Sequence, residues 1–347
     1  MRSRLLAYGD FLNLSRFSPD NVTADEFILP SGVKVKVVGP GIIHFYPPDV
    51  SQRHQFIVLS SGIHGNETAP IEICDDLVKQ ILLGGFIPAH PVMFLFGNLD
   101  AMAIAERFVE ENMNRLFGAP YSADAPTQNK EQQRAKELKK AVADFFDNAP
   151  AQAERLHYDL HTAIRESKNE KFAVYPYLHG KSYSGRQLAI LKACGVQTVL
   201  LSASPTTTFS YYSSYYYQAH GFTVELGKVQ AFGQNDMANF AEVRDTLKQL
   251  ISQRTLAVDD DISDVTLYKI NQVINKNCED FALHFADDIP NFTDFPKGFC
   301  LASETGARYE AQRDGEAIVF PNANVALGQR ALLTVLPVQV GDIDVQS

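Results

Sequence analysis

Residues 56–70 read Phe56-Ile57-Val58-Leu59-Ser60-Ser61-Gly62-Ile63-His64-Gly65-Asn66-Glu67-Thr68-Ala69-Pro70. The short apolar run predicts a buried strand, and Ala69 to Leu83, with Pro70 well placed for a first turn, predicts a helix after the polar loop. Working outward, Val92 to Phe96, Leu156 to Leu160, Val196 to Leu201 and Phe222 to Leu226 read as further strands. Helical stretches over 127–147, 184–194 and 235–253 separate several of them. Strands alternating with helices of this length predict an α/β domain whose largely parallel sheet is covered on both faces. Upstream, one helix is expected over 3–14 and strands around 26–46, with Pro40-Gly41 as a turn. Past residue 255 the β-prone runs Val265 to Ile270, Ala317 to Phe320 and Ala331 to Leu336 are broken by Pro, Gly and Asn, which predicts a small all-β domain beginning near Asp259. The expected division is an α/β domain over 1–255, with 1–54 as an N-terminal extension, and a β domain over 256–347.

The chain has 347 residues, 45% apolar and 21% charged, which allows one large domain or two ordinary ones and excludes a disordered tail protein. Lys and Arg number 31 against 41 Asp and Glu, a net charge of −10, and no basic stripe appears. This balance argues against a nucleic-acid binder, which needs clustered cations to neutralise phosphates. Cys74, Cys194, Cys278 and Cys300 form no CxxC pair and read as the reduced thiols of a cytoplasmic protein. The segment Met1 to Asp10 reaches an acid before an apolar core develops, so no secretory signal is expected. No apolar run approaches the 18 or so residues of a membrane span, so no membrane partner is expected.

His64 and Glu67, three apart on a Gly-containing loop at the carboxyl end of a strand, could give an imidazole nitrogen and a carboxylate oxygen to one Zn²⁺. Alone, that spacing is a weak signal; His284 and Asp287 make a similar pair in the tail. The signal strengthens because Asp159-Leu160-His161 and Thr223-Val224-Glu225 end two more strands, and ligands of open α/β sheets gather beyond such ends. Two His and one Glu leave a zinc position open, the pattern of a catalytic site, and a further carboxylate, Glu225, can serve as base. Arg107 and Asn114-Arg115 follow the strand at 92–96 and could polarise a carbonyl or hold a carboxylate. Arg165, four residues past His161, is a further carboxylate candidate. The plainer readings are a loop histidine for His64, a strand-end carboxylate paired with Lys228 for Glu225, a helix cap or loop bridge for Asn114 and Arg115, and surface ion pairs for Arg107 and Arg165. Tyr211 to Tyr217 reads as aromatic packing across a loop and strand rather than as a lid. No P-loop, dinucleotide fingerprint or nucleophile elbow supports a competing chemistry.

In this order the motifs resemble the zinc-carboxypeptidase fold group, and within it the succinylglutamate desuccinylase/aspartoacylase family. The resemblance spans nearly the whole chain: Gly62-Ile63-His64-Gly65-Asn66-Glu67, Gly97-Asn98, Arg107 with Asn114-Arg115, Asp159-Leu160-His161, Val224-Glu225-Leu226-Gly227, and a tail with Ile318 to Asn322 and Gly328 to Ala331. Asn112-Met113 departs from the Asp-Leu of the aspartoacylase pattern, which favours the desuccinylase side. The resemblance implies a zinc-carboxypeptidase-like mixed sheet flanked by helices, plus the smaller β domain. It implies one Zn²⁺ per chain on His64, Glu67 and His161, Glu225 as base, Arg107 on the oxyanion, and Asn114 and Arg115 on a substrate carboxylate. The implied reaction is hydrolysis of N2-succinyl-L-glutamate to succinate and L-glutamate, the last step of the succinyl-dependent arginine catabolic route. A zinc deacylase or carboxypeptidase with another substrate, or a non-catalytic zinc-binding regulator, are the alternatives. A homo-oligomer is left open. The implied partner is a small anionic N-acyl amino acid, so an acidic protein must present a focused positive pocket.

Overall fold

The computed structural model describes residues 1–49 and 54–346; positions 50–53 of the expected N-terminal extension and Ser347 lie outside the described residues. Along the chain run strands β1 (Asp25–Ile28), β2 (Lys34–Gly39), β3 (Ile42–Tyr46), β4 (Gln55–Ser61), β5 (Val92–Phe96), β6 (Glu154–Ala163), β7 (Phe172–Tyr175), β8 (Thr198–Leu201) and β9 (His220–Lys228). In the tail come β10 (Thr266–Asn275), β11 (Thr293–Phe295), β12 (Glu316–Val319) and β13 (Arg330–Val338). Among the described residues these make one 13-stranded sheet in the order β1-β2-β3-β5-β4-β6-β9-β7-β8-β10-β13-β12-β11.

The strands β5, β4, β6 and β9 are mutually parallel, as the alternation predicts, but β3 pairs antiparallel with β5, and β7 antiparallel with β9. The sheet is therefore mixed. The Pro40-Gly41 turn makes β2 and β3 an antiparallel hairpin, and the link between β6 and β7 is shorter than the dozen or more residues of a parallel crossover, so β7 runs against β6 and against β9, which is parallel to β6. The tail joins this sheet through β10, which pairs parallel with β8 from Thr266 opposite Thr198 to Lys269 opposite Leu201. This covers what would otherwise be an exposed sheet edge.

Alternate side chains of the central strands enter two cores. On one face Ile57, Leu59, Leu156, Tyr158, Leu160 and Val224 pack with helices α1 (Arg2–Tyr8), α2 (Phe11–Phe17) and α3 (Thr68–Leu82). On the other, Phe56, Val58, Met93 and Leu95 meet residues of α5 (Lys130–Asp147) and α7 (Phe209–Tyr217), while α4 (Leu99–Ala103) lies beyond β5. Each fully buried aliphatic or aromatic side chain contributes about 1.5–3 kcal/mol. α6 (Gly185–Ala193) and α8 (Ala241–Ser252) complete the first layer.

Three expectations shift locally. The single helix over 3–14 is two, because Gly9 takes φ 63° and lies so close to α3 that a Cβ would come within 2.6 Å of Lys79 Cγ. The helix expected from 235 begins at Ala241 after a 3-10 turn at Met237–Phe240. The tyrosine run packs as expected, but in a helix, with Thr208 Oγ1 accepting the Tyr211 N–H and Phe209 and Tyr212 fully buried. Among the described residues no helix is long and apolar enough to cross a membrane, and the four cysteines are unbridged.

Candidate metal centre

The loop leaving β4 is fixed by two glycines. Gly62 adopts φ 67°, where a Cβ would stand 2.1 Å from Met102 Cε, and a Cβ on Gly65 would stand 2.3 Å from the backbone of Ala101 and Met102. The loop thus lies flat on α4, presenting His64 and placing Glu67 at the start of α3 with its carboxylate uncommitted to capping. On β6, the two-residue period puts His157, Asp159 and His161 on one face. Register does the rest: Asp159 is opposite Ser60 of β4, and His161 is opposite Glu225 of β9.

His64 Nδ1 lies 2.8 Å from Glu67 Oε1, and His161 Nδ1 lies 2.8 Å from Glu67 Oε2. One potential ligand atom from each residue falls within 4.8 Å of the others, and all three side chains are buried. The outer nitrogens have acceptors. His161 Nε2 donates to Asp159 Oδ2 at 2.9 Å, and His64 Nε2 donates at 2.9 Å to Asn112 Oδ1, which also takes the Asn114 N–H. Those acceptors occupy both Nε2 atoms and leave each Nδ1, turned toward Glu67, as the nitrogen at which a metal ion would replace a proton. Behind them, Ser60 Oγ donates to Asp159 Oδ1 at 2.5 Å and contacts His157 Nε2 at 2.8 Å, and His157 Nδ1 meets Ser213 Oγ of α7 at 2.7 Å. Burial pushes His157 down to about 4, so it is a neutral strut at pH 7.

The electrostatics favour a cation in the cluster. Burial raises the Glu67 carboxyl, yet His64 and His161 outweigh it and hold the group well below its usual range. Burial likewise lowers His161, but Asp159 and Glu67 overcome it and the net direction is upward. Positive charge beside these carboxylates is therefore stabilised whether a proton or a metal ion carries it. Glu225 is buried with Oε2 unpartnered, and burial pushes its carboxyl up to about 7. Asn66 Oδ1 and Thr162 Oγ1 are also buried without partners at this sheet edge. Lys228 pairs with Glu166 at 2.9 Å, which removes the plain structural reading of Glu225.

The arginines divide. Arg107 Nη1 donates to Glu67 Oε1 at 2.7 Å, so it stands at the cluster, partly exposed. Asn114 is buried and its Oδ1 accepts the Phe209 N–H at 2.9 Å, which commits half of its amide to α7. Arg115 donates to the Asn114 carbonyl at 3.2 Å and has no carboxylate partner among the described residues. Arg165 is drawn to the tail instead, donating to Ile289 O at 2.9 Å and Pro321 O at 3.3 Å.

Asn112, Asp159 and Glu131 are the supports the sequence reading assigned no role. Asp159 carried a usable signal, lying two residues before His161 on the same strand face. Glu131 falls in the helical stretch expected over 127–147, but it is buried, and its Oε1 accepts from Val109 N at 2.7 Å, Glu110 N at 3.3 Å and Asn98 Nδ2 at 3.1 Å. It anchors the loop that carries Arg107.

Comparison with known proteins shows the family. Residues 54–251 match the succinylglutamate desuccinylase/aspartoacylase catalytic domain, and residues 263–338 match the AstE/AspA barrel-sandwich hybrid domain. A Pseudoalteromonas atlantica protein named succinylglutamate desuccinylase is 57% identical over 338 residues, covering 96% of both chains. One of the same name from Shewanella frigidimarina is 49% identical, covering 97% of this chain and 98% of that one. The crystal structure of the Vibrio parahaemolyticus protein of that name superposes with TM-score 0.86 at 34% identity over 95% of each chain. Murine aminoacylase 3, at 16% identity and TM-score 0.55 over 83% of this chain and 97% of that one, shares the fold. The chain belongs to the succinylglutamate desuccinylase/aspartoacylase family.

Proposed function

We propose that this chain hydrolyses N2-succinyl-L-glutamate to succinate and L-glutamate, with one Zn²⁺ held by His64, Glu67 and His161. The observation that carries the reading is the buried, unpartnered Glu225 carboxylate beside a two-histidine, one-carboxylate cluster. That donor set fits zinc with one position left open, and the two Nδ1 atoms turned toward Glu67 fit it further. Bound there, zinc would lower the pKa of a water and polarise the amide carbonyl. The names carried by relatives at 57% and 49% identity support the choice of substrate, and with it a place at the end of arginine breakdown by the succinyl route.

The chain's own residues supply the rest. Glu225, buried at the strand end opposite His161 with Oε2 unpartnered, accepts a proton at Oε2 from the attacking water and passes it to the departing amine nitrogen. Arg107, fixed through Nη1 to Glu67, offers its remaining N–H groups to the carbonyl oxygen as charge develops there. Asn114 and Arg115 hold a substrate carboxylate, and Arg165, with donors left after its two carbonyl contacts, is the further candidate for one. Asp159 keeps His161 in its ligating tautomer.

The test is succinate release from succinylglutamate against N-acetylaspartate as competitor, before and after chelation and zinc restoration. Selective, chelator-sensitive release is expected. Comparable kcat/KM on N-acetylaspartate would move the substrate assignment, and chelator-insensitive release would remove the metal.

A further inference from the structure

Arg330 opens β13, opposite Asn275 in the tail, yet it is tied to the catalytic edge of the sheet. Its guanidinium lies over the Phe320 ring, 5.6 Å from the centroid. Phe320 packs against Phe172 at 5.7 Å between centroids, and Phe172 is the register partner of Glu225. Phe320 itself is held at φ 54° with its N–H bound by Asn291 Oδ1 at 2.8 Å, and its neighbour Pro321 takes the bond from Arg165. This corner of the tail is built to a fixed position beside the cleft.

The charges there are unbalanced. Arg330 Nε is buried without a partner, and neither Arg330 nor Arg115 has a carboxylate partner among the described residues. Burial pushes Arg330 down to about 9, and the Arg115 charge pushes it the same way; Arg115 is lowered in turn by burial and by Arg107. Arg107 sits on Glu67, Arg115 follows it on the same loop, and Arg330 reaches toward Glu225 through Phe320 and Phe172, so a row of like charges borders this edge of the sheet. A chain with 41 acidic residues had carboxylates available to neutralise that row and places none on Arg115 or Arg330. Crowded cations left without counter-ions fit an anion that arrives from outside.

We propose that Arg330, together with Arg115, binds one carboxylate of the substrate remote from the scissile amide, so that the tail domain supplies a specificity residue of the site. The inference rests on the desuccinylase reading for the identity of the substrate, but not for the presence of a carboxylate subsite. Arg330 selects through charge: a substrate with a neutral group at that end loses its contact.

Three substrates decide it: succinylglutamate, N-succinylglutamine, which lacks the side-chain carboxylate, and N-butyrylglutamate, which lacks the acyl one. Loss of one charge-assisted pair predicts that Arg330→Gln raises KM for succinylglutamate roughly 10- to 100-fold with little change in kcat. For the analogue missing the contacted carboxylate, Arg330→Gln and wild type should have equal KM. Arg330→Lys should recover part of the loss. A KM for succinylglutamate unchanged in Arg330→Gln, or an equal loss on all three substrates, overturns the proposal while leaving the desuccinylase reading in place. Should wild type release no succinate, titration with glutarate separates the two claims: weaker glutarate binding in Arg330→Gln keeps the subsite, and equal binding removes it.

Discussion

Replacing Asp159 with Asn tests whether the site is held by what lies behind its ligands. In the native chain the carboxylate accepts from His161 Nε2 at 2.9 Å and from Ser60 Oγ at 2.5 Å, and it is fully buried. Asn has nearly the same shape, but it can offer a carbonyl oxygen on one side only. If that oxygen faces His161, the NH₂ group faces Ser60, whose hydroxyl must turn its proton toward His157. If it faces Ser60, His161 meets a donor and loses the tautomer that points Nδ1 at the metal. In both cases the negative charge that raises His161 basicity is gone. Outer partners of metal-bound histidines are typically worth 10- to 100-fold in affinity, about 1.4–2.7 kcal/mol at 1.36 kcal/mol per decade. Competition against a chromophoric chelator should therefore show zinc affinity lowered by roughly 10- to 100-fold. Turnover at saturating zinc should fall much less. Unchanged zinc affinity, with folding intact by circular dichroism, would refute the claim that Asp159 organises the centre.

Glu131→Ala should release the arginine loop, since it strips acceptors from Val109 N, Glu110 N and Asn98 Nδ2. Of these three residues only Asn98 is buried, and a buried donor left unpaired costs about 1–3 kcal/mol, so urea unfolding should show a loss of that order, and KM should rise because Arg107 and Arg115 ride on that loop. Asp75, half-buried on α3, is pushed up to about 6 by burial, so between about 4 and 6 the folded chain holds a proton that the unfolded chain has released. Stability contributed by this group therefore falls as pH rises through that window, by up to about 3 kcal/mol. Asp75→Asn should raise the urea midpoint at pH 8 and leave it unchanged at pH 4; equal shifts at both would contradict the assignment.

The metal loop was legible because its chemistry is local. His64 and Glu67 share one loop, and the alternation on β6 and β9 sends His161 and Glu225 to one edge without any tertiary knowledge. Glu131, Arg165 and Arg330 were not legible in the same way. A helix-rich run such as residues 130–140 gives no sign that one of its carboxylates turns inward, since burial there depends on a loop some twenty residues upstream. Arg165 was placed by its distance from His161 in sequence, whereas two tail carbonyls decide its position in space. The antiparallel turn of β7 and the pairing of β10 with β8 follow from connection length and an open sheet edge, and composition carries neither.

The most direct test is Glu225→Gln, measured for zinc content and succinate release on the same purified sample. Gln preserves size and removes only the ability to take the proton. The account predicts about one zinc per chain in both proteins and succinate release reduced by roughly 10²–10⁴-fold in the variant. Zinc retained with release within a few-fold of wild type would remove Glu225 from the reaction and contradict the account.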